Sequence, residues 1–187
     1  MPCLRPQVTG HGNSRLRSIR RSRLEVVVVE ASESERDVLS NLMQFYLYDM
    51  TELMNWDVPR TGRFPEDDLD GCWMEPWRHP FLFRADNELA GFSIVDSHSY
   101  LTGREDVHDL SEFFIMRRYR RNSLGTFAAT LLFDRFPGRW EVREHGRNTA
   151  AIAFWRKVIG QYTYGRYEEI HLDSDLWRGP VQRFETR

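Results

Sequence analysis

The stretch Glu112-Phe113-Phe114-Ile115-Met116-Arg117-Arg118-Tyr119-Arg120-Arg121-Asn122-Ser123-Leu124-Gly125 concentrates the chemistry of this chain. An apolar, strand-like run leads into a polar turn holding four arginines, and a helical period begins directly after it. The first N–H groups of a helix have no intrahelical partner and its dipole is positive there, so such a turn attracts anions. Arginines beside it add charge-assisted bonds to phosphate oxygens. Small residues at Ser123 and Gly125 let a diphosphate approach the backbone. These residues describe a pyrophosphate cradle; the plainer reading is a strand-to-helix turn with a solvated basic face.

Composition removes other classes. The chain has 187 residues, 26 basic and 28 acidic, for a formal charge of −2, which suits one globular domain. Lys157 is the only lysine and stands between Arg156 and Val158, so a Walker-type Gly-Lys-Ser/Thr loop is excluded. Cys3 and Cys72 are too few for a disulfide framework or a four-cysteine zinc site, and no His-Glu-x-x-His occurs, so no metal is expected. A Gly-x-Ser-x-Gly nucleophile turn is also missing. No run approaches the ~20 apolar residues of a membrane helix, and a cytoplasmic protein without a membrane partner is expected.

Charge is unevenly placed. Residues 1–23 carry six arginines and no acid, with no helical or strand period, and read as a disordered Arg-rich tail. Nucleic-acid binding by this tail is the weaker reading, because no aromatic residue is interleaved for base stacking. The apolar run after Arg20-Arg21 is broken by Glu25 and is too short for an export signal. Residues 24–187 form the single folded domain.

The elements that must position the cradle follow from periodicity. Leu24 to Val29 is β-branched and reads as the first strand. Ser32 and Glu35 form a capping-box pattern ahead of a helix whose apolar stripe is Leu39, Leu42, Met43, Tyr46, Leu47 and Met50. Residues 55–80 form a long irregular segment with one short helix. Phe81 to Phe83 and Leu89 to Val95 are strands joined across Asp86-Asn87. A strand from about His108 to Met116 precedes the cradle, and the helix after it stops at Pro137-Gly138. Arg139 to Glu144 is a strand, Asn148 or Thr149 caps a helix ending near Gly160, and weaker strands near 164–172 and 177–184 follow. The order predicts a mixed α/β domain without repeats.

Two motifs then lie in register. Arg120-Arg121-Asn122-Ser123-Leu124-Gly125 resembles the Arg/Gln-x-x-Gly-x-Gly/Ala loop of the GNAT acyltransferase superfamily, and Asn148-Thr149-Ala150-Ala151-Ile152-Ala153-Phe154-Trp155 resembles its Asn-x-x-Ala-x-x-(apolar)-Tyr helix. The element order from residue 24 to 184 is similar to that superfamily as well. The resemblance implies a central mixed, mostly antiparallel sheet with splayed strands, flanked by helices. It also implies acetyl-coenzyme A as cosubstrate and direct acetyl transfer to a small-molecule or peptide amine in a ternary complex. A monomer or homodimer is expected.

Roles carry over position by position. Ile115 matches the residue whose backbone N–H polarises the thioester carbonyl, as oxyanion-hole donors do. Met116 and Arg117 follow it along the pantetheine, and the backbone of Arg120, Arg121, Asn122, Ser123, Leu124 and Gly125 would hold the pyrophosphate. Asn148 matches the pantetheine-contacting asparagine and also reads as a helix cap. Two positions depart from the pattern. Ser123 replaces a glycine, and in ordinary helical geometry it would still donate its N–H. Trp155 replaces the tyrosine that protonates the departing thiolate, and an indole N–H is no proton-transfer acid. A non-catalytic acyl-coenzyme A sensor on the same fold is therefore the alternative.

Transfer to an amine requires removal of an ammonium proton. Glu112 is the candidate base, three residues ahead of Ile115 among apolar neighbours that raise a carboxyl's pKa; a charge pair across strands is its plain reading. Strand alternation would put His108 on the same face unless a bulge intervenes. Tyr46, Tyr48 and Trp73 are candidates for the acceptor side, with Trp56 and Trp77 as further aromatics; each also reads as core packing.

Overall fold

The protein is described here by a computed structural model covering residues 19–21, 24–65 and 69–186. The valine run forms β2 (Leu24–Glu30), which pairs antiparallel with a short β1 (Ile19–Arg21), Ile19 lying opposite Val26. Thus residues 19–21 of the segment expected to be a disordered tail are a strand. The free edge of β2 offers unpaired N–H and C=O groups that this short piece satisfies. The remainder of that Arg-rich segment lies outside the described residues.

The capping box ahead of the first helix forms as its spacing predicts: the Ser32 N–H donates to the Glu35 carboxylate at 3.1 Å. Helix α1 (Arg36–Met54) runs past both ends of its apolar stripe, since nothing breaks it before Asn55, which caps it in the left-handed region at φ 56°. A short α2 (Gly71–Met74) interrupts the irregular segment. Strands β3 (Arg78–Ala85) and β4 (Glu88–Asp96) are joined by Asp86 and Asn87, both at positive φ as a two-residue hairpin turn requires. Then come β5 (Val107–Ile115), α3 (Leu124–Arg135), β6 (Arg139–Arg143), α4 (Thr149–Tyr162), β7 (Glu168–Asp173) and β8 (Arg178–Glu185).

The strands form one eight-stranded sheet in the order β1-β2-β3-β4-β5-β6-β8-β7. Every neighbouring pair is antiparallel except β5–β6. This is the mixed, mostly antiparallel sheet that the sequence led us to expect. Helices α3 and α4 cover one face, where Phe133, Trp140, Trp155 and Phe184 meet in an aromatic cluster. Helices α1 and α2 cover the other, with Leu39, Leu42, Met43 and Cys72 packed on Leu82, Phe92, Ile94 and Phe114.

Two local features open the sheet. β5 and β6 pair only where Val107–Asp109 meets Arg139–Glu141, and they diverge beyond that point. On its other side, β5 pairs Glu112 with Ile94 but Leu110 with Val95, so Ser111 is an extra, bulged residue. The remaining half of β5 therefore faces a cleft instead of a strand. Splayed strands are present.

Candidate active site

The cleft is built first by backbone. Met116 donates its N–H to the Ala90 carbonyl at 2.9 Å, which sets the alternation of the β4–β5 ladder. Phe114 and Met116 therefore turn their N–H groups to β4, while Phe113 and Ile115 turn theirs to the cleft. The Ile115 carbonyl faces the same open side and accepts from Arg120 Nε at 2.7 Å. Gly91 lies opposite Ile115, and a Cβ there would come within 2.0 Å of the Phe114 carbonyl oxygen. Only glycine lets β4 approach this segment so closely.

The loop after β5 makes a single 3-10 turn at Arg117–Tyr119 and then passes through two left-handed residues, Arg121 at φ 64° and Ser123 at φ 61°. The expectation of ordinary helical geometry at Ser123 is thus corrected. The chain must reverse between β5 and α3, and Ser123 is where it does so. Ser123 caps α3 with its backbone carbonyl, which accepts from Phe127 N–H at 3.0 Å. The N–H groups of residues 123–126 precede that first helical bond, forming the anion-seeking end of α3. Arg121 and Asn122 are exposed at the tip of the loop, and Leu124 is buried beneath it. Gly125 has a packing role. Its missing side chain faces the Phe154 ring, which a Cβ would meet at 3.2 Å, so the glycine clears α3 packing against α4.

Two of the four arginine side chains are engaged by a carboxylate of α1. Arg117 Nε donates to Asp49 Oδ1 at 3.0 Å, and Arg120 donates to the other oxygen of the same carboxylate. Both guanidinium groups are thus drawn towards α1. The Arg120 guanidinium also lies over the Phe114 ring, 5.5 Å from its centre.

Two cavities flank β5. The first, about 490 Å³, occupies the splay and is lined by Glu112, Phe113, Glu144, Asn148 and Trp155 among others. The second, about 660 Å³, lies beneath α1 and is lined by Met43, Leu47, Met50, Trp56, Phe64 and Glu112 among others. Four residues line both: Tyr46, Met50, Arg78 and Glu112. Glu112 therefore stands where the cavities meet.

The other sequence candidates divide clearly. Tyr46 packs edge-on against Phe92 and Phe114 and still faces both cavities. Tyr48 is 59% exposed and lines neither, because the α1 stripe turns it to solvent. Trp73 lines neither: its indole donates to the Ala31 carbonyl at 3.0 Å and its ring packs into the α1 core. Trp56 lines the second cavity and Trp77 the first. The Ser111 bulge puts His108 on the opposite face from Glu112, where it packs against Phe136 and Trp140 and burial lowers its pKa. Asn148 does cap α4, accepting from Ala151 N–H at 3.1 Å, and it lines the splay cavity as well. Trp155 is 5% exposed, wedged between Phe113 and Phe154 at ring distances of 4.9 Å.

Three further groups shape the cleft. Asp109 is buried and receives a bidentate grip from Arg143 at 2.8 and 2.9 Å. Burial still raises the Asp109 pKa against that cation. Arg143 is itself sandwiched between Tyr100 and Trp177, whose ring centres lie 4.2 and 4.6 Å away, which ties the β4–β5 and β7–β8 connections together across the splay. Glu144 is 3% exposed, and burial pushes its carboxyl up to about 8. The Glu169 carboxylate adds to that shift, while Gln182 and Arg156 oppose it. At neutral pH the cleft thus contains a protonated carboxyl. No spacing in the sequence marked Arg143 or Glu144 for these positions.

Among the described residues no group of three or more His, Cys, Asp and Glu side chains is arranged to hold a metal ion. Nor is any described helix long and apolar enough to cross a membrane.

No curated protein sequence matches the chain, whereas solved structures do. An acetyltransferase from Thermus thermophilus is 18% identical, with a TM-score of 0.59 over 84% of this chain and 94% of its own. Spermidine N-acetyltransferase from Vibrio cholerae, solved with CoA and spermine, is 9% identical, with a TM-score of 0.58 over 86% and 95%. The ribosomal-protein-S18-alanine N-acetyltransferase from Escherichia coli is 13% identical, with a TM-score of 0.55 over 86% and 94%. At these identities the likeness is one of fold. The sequence itself matches the acetyltransferase (GNAT) family over residues 45–160, which include β5, the arginine loop, α3, β6 and most of α4. The chain belongs to the GNAT family of acetyltransferases.

Proposed function

We propose that this protein transfers an acetyl group from acetyl-coenzyme A to an amine, directly, in a ternary complex. The observation that carries the reading is the place of Glu112, a carboxylate at the meeting point of two cavities and three residues from a backbone N–H turned into the splay. The residues fit the cosubstrate through their backbone. The α3 N-terminus and the loop 120–125 would hold its diphosphate, and the open edge of β5 would hydrogen-bond its pantetheine amides. Asn148 and Trp155 would wall the same passage. When bound, acetyl-coenzyme A supplies an activated acyl group.

The chain's own residues supply the rest. The Ile115 N–H would orient and polarise the acyl carbonyl. Glu112 would take a proton from the acceptor ammonium entering from the α1 cavity, leaving a neutral nucleophile. Donor in one cavity and acceptor in the other would meet at one carboxylate, which is the entropic advantage of a ternary complex. Trp155 is buried among aromatic rings and takes no part in proton transfer.

A thermal-shift titration with acetyl-coenzyme A and free coenzyme A tests the donor half. A ligand at 100 times its Kd stabilises the native state by roughly 2.7 kcal/mol, and a rise in Tm with both ligands is expected. No rise with either contradicts the reading.

A further inference from the structure

The cavity beneath α1 has a chemistry of its own. Its volume of about 660 Å³ is that of a small-ligand pocket. Its walls are apolar for most of their extent: Met43, Leu47, Met50, Phe64 and Leu69 line the interior, and Trp56 stands at the rim, 46% exposed. Charge is confined to a few places. Glu112 marks the end shared with the splay, Asp57 lies beside Trp56 in the chain, and Arg78 pairs with Asp96 at 3.3 Å.

Each acceptor class would meet these walls differently. An amino acid would bring a carboxylate into surroundings where acids outnumber the one arginine. A peptide would bring backbone N–H and C=O groups, each costly to bury unpaired, against walls with few polar partners. A polyamine would have to run its charged body past methionine, leucine and phenylalanine side chains to reach the second acid, Asp57, which is exposed at the rim where solvent screens the pair. An amine with one charge at one end and an apolar body fits both halves. Its ammonium meets Glu112 and its body fills the aliphatic and aromatic remainder.

We infer that the acceptor is a primary amine carried on an apolar, ring-sized body, of the arylalkylamine class. This rests on the acetyltransferase reading above. The step balances: the ammonium gives one proton to Glu112, the neutral amine forms the C–N bond as the C–S bond of the thioester breaks, and the second nitrogen proton passes to the departing thiolate, leaving amide and thiol. Trp56 is a specificity-determining residue at the pocket rim, where its ring faces the acceptor body.

The test uses the full chain with coenzyme A bound. Phenethylamine, tryptamine, spermidine, lysine and an alanine-initiated tetrapeptide are each added, and the further rise in Tm and the acetyl transfer from acetyl-coenzyme A are measured. The two arylalkylamines are expected to raise Tm and to show the highest kcat/KM. Trp56→Ala is expected to raise their KM roughly tenfold, with coenzyme A binding unchanged. A larger response to spermidine, lysine or the peptide overturns the inference, as does an unchanged KM in Trp56→Ala. Arylalkylamine binding without any acetyl transfer upholds the pocket chemistry and contradicts the acetyltransferase reading, so the two failures are distinguishable.

Discussion

Asp49, near the end of α1, holds Arg120 of the loop that follows β5, and the same guanidinium donates to the carbonyl of Ile115 at 2.7 Å. A single carboxylate thereby joins three elements: helix α1, the loop between β5 and α3, and the open edge of β5 at Ile115. Arg117 shares that carboxylate at 2.8 Å. Arg117 and Arg120 thus tie the loop to α1.

That tie is testable. Asp49→Asn removes the charge that holds both arginines but keeps the side-chain volume. Both arginines are substantially exposed, at 69% and 42%, so solvent screens the pairs and little change in stability is expected. The larger expected effect is a several-fold weaker affinity for acetyl-coenzyme A in calorimetric titration, because the loop loses its preset shape. Unchanged affinity would show that the loop keeps its form without Asp49.

Glu112→Gln keeps the shape of the cavity junction and removes the base. A positioned general base contributes roughly 10²–10⁴-fold to rate. The expected result is a fall of that order in kcat for the amine acceptor, with the acetyl-coenzyme A affinity of the wild type. An equal fall in donor binding would assign Glu112 a structural role.

Ser123 sits at φ 61°, where a side chain costs roughly 1–2 kcal/mol and glycine costs none. Glycine also loosens the unfolded chain, which offsets about 0.4–1 kcal/mol. Ser123→Gly should therefore raise the urea midpoint slightly, whereas Ser123→Ala, which keeps the Cβ, should not. A clear loss of stability in Ser123→Gly would mean that the serine hydroxyl holds the loop.

The protonated carboxyl of Glu144 makes stability depend on pH. Its pKa is about 8 in the fold against an ordinary 4.5, so between those values the native state keeps a proton that the unfolded chain has lost. Stability contributed by this group is whole below the unfolded value and declines as pH rises towards the folded one, by at most about 1.4 kcal/mol per pH unit. Glu144→Gln abolishes that slope. Denaturation from pH 5 to pH 8 should show the variant gaining on the wild type throughout; parallel curves would contradict it.

Local chemistry made much of the fold legible in the sequence. The Ser32–Glu35 box, the Asp86-Asn87 turn and the Asn148 cap each satisfy or shape backbone a few residues away, so their spacing is enough to read them. The strand–loop–helix from Glu112 to Gly125 was readable for the same reason. Long-range relationships were not. Asp49 and Arg120 lie 71 residues apart, and the bulge at Ser111 follows from pairing with β4, with no residue type to announce it. That bulge separates His108 from Glu112, so strand alternation alone could not place them. Tyr48 and Trp73 were plausible by type, but the rotation of α1 and the packing of α2 send them elsewhere.

The central claim is transfer to an amine at Glu112, and the release of coenzyme A thiol measures it most directly. Wild-type protein and Glu112→Gln are each mixed with acetyl-coenzyme A, with and without primary amines, while thiol and N-acetylated product are followed together. The account predicts amine-dependent thiol release by the wild type, one thiol for each N-acetyl group formed, and a loss of about 10²-fold or more in the variant. Tight binding of acetyl-coenzyme A with no amine-dependent thiol release would contradict it and make the protein an acyl-coenzyme A sensor.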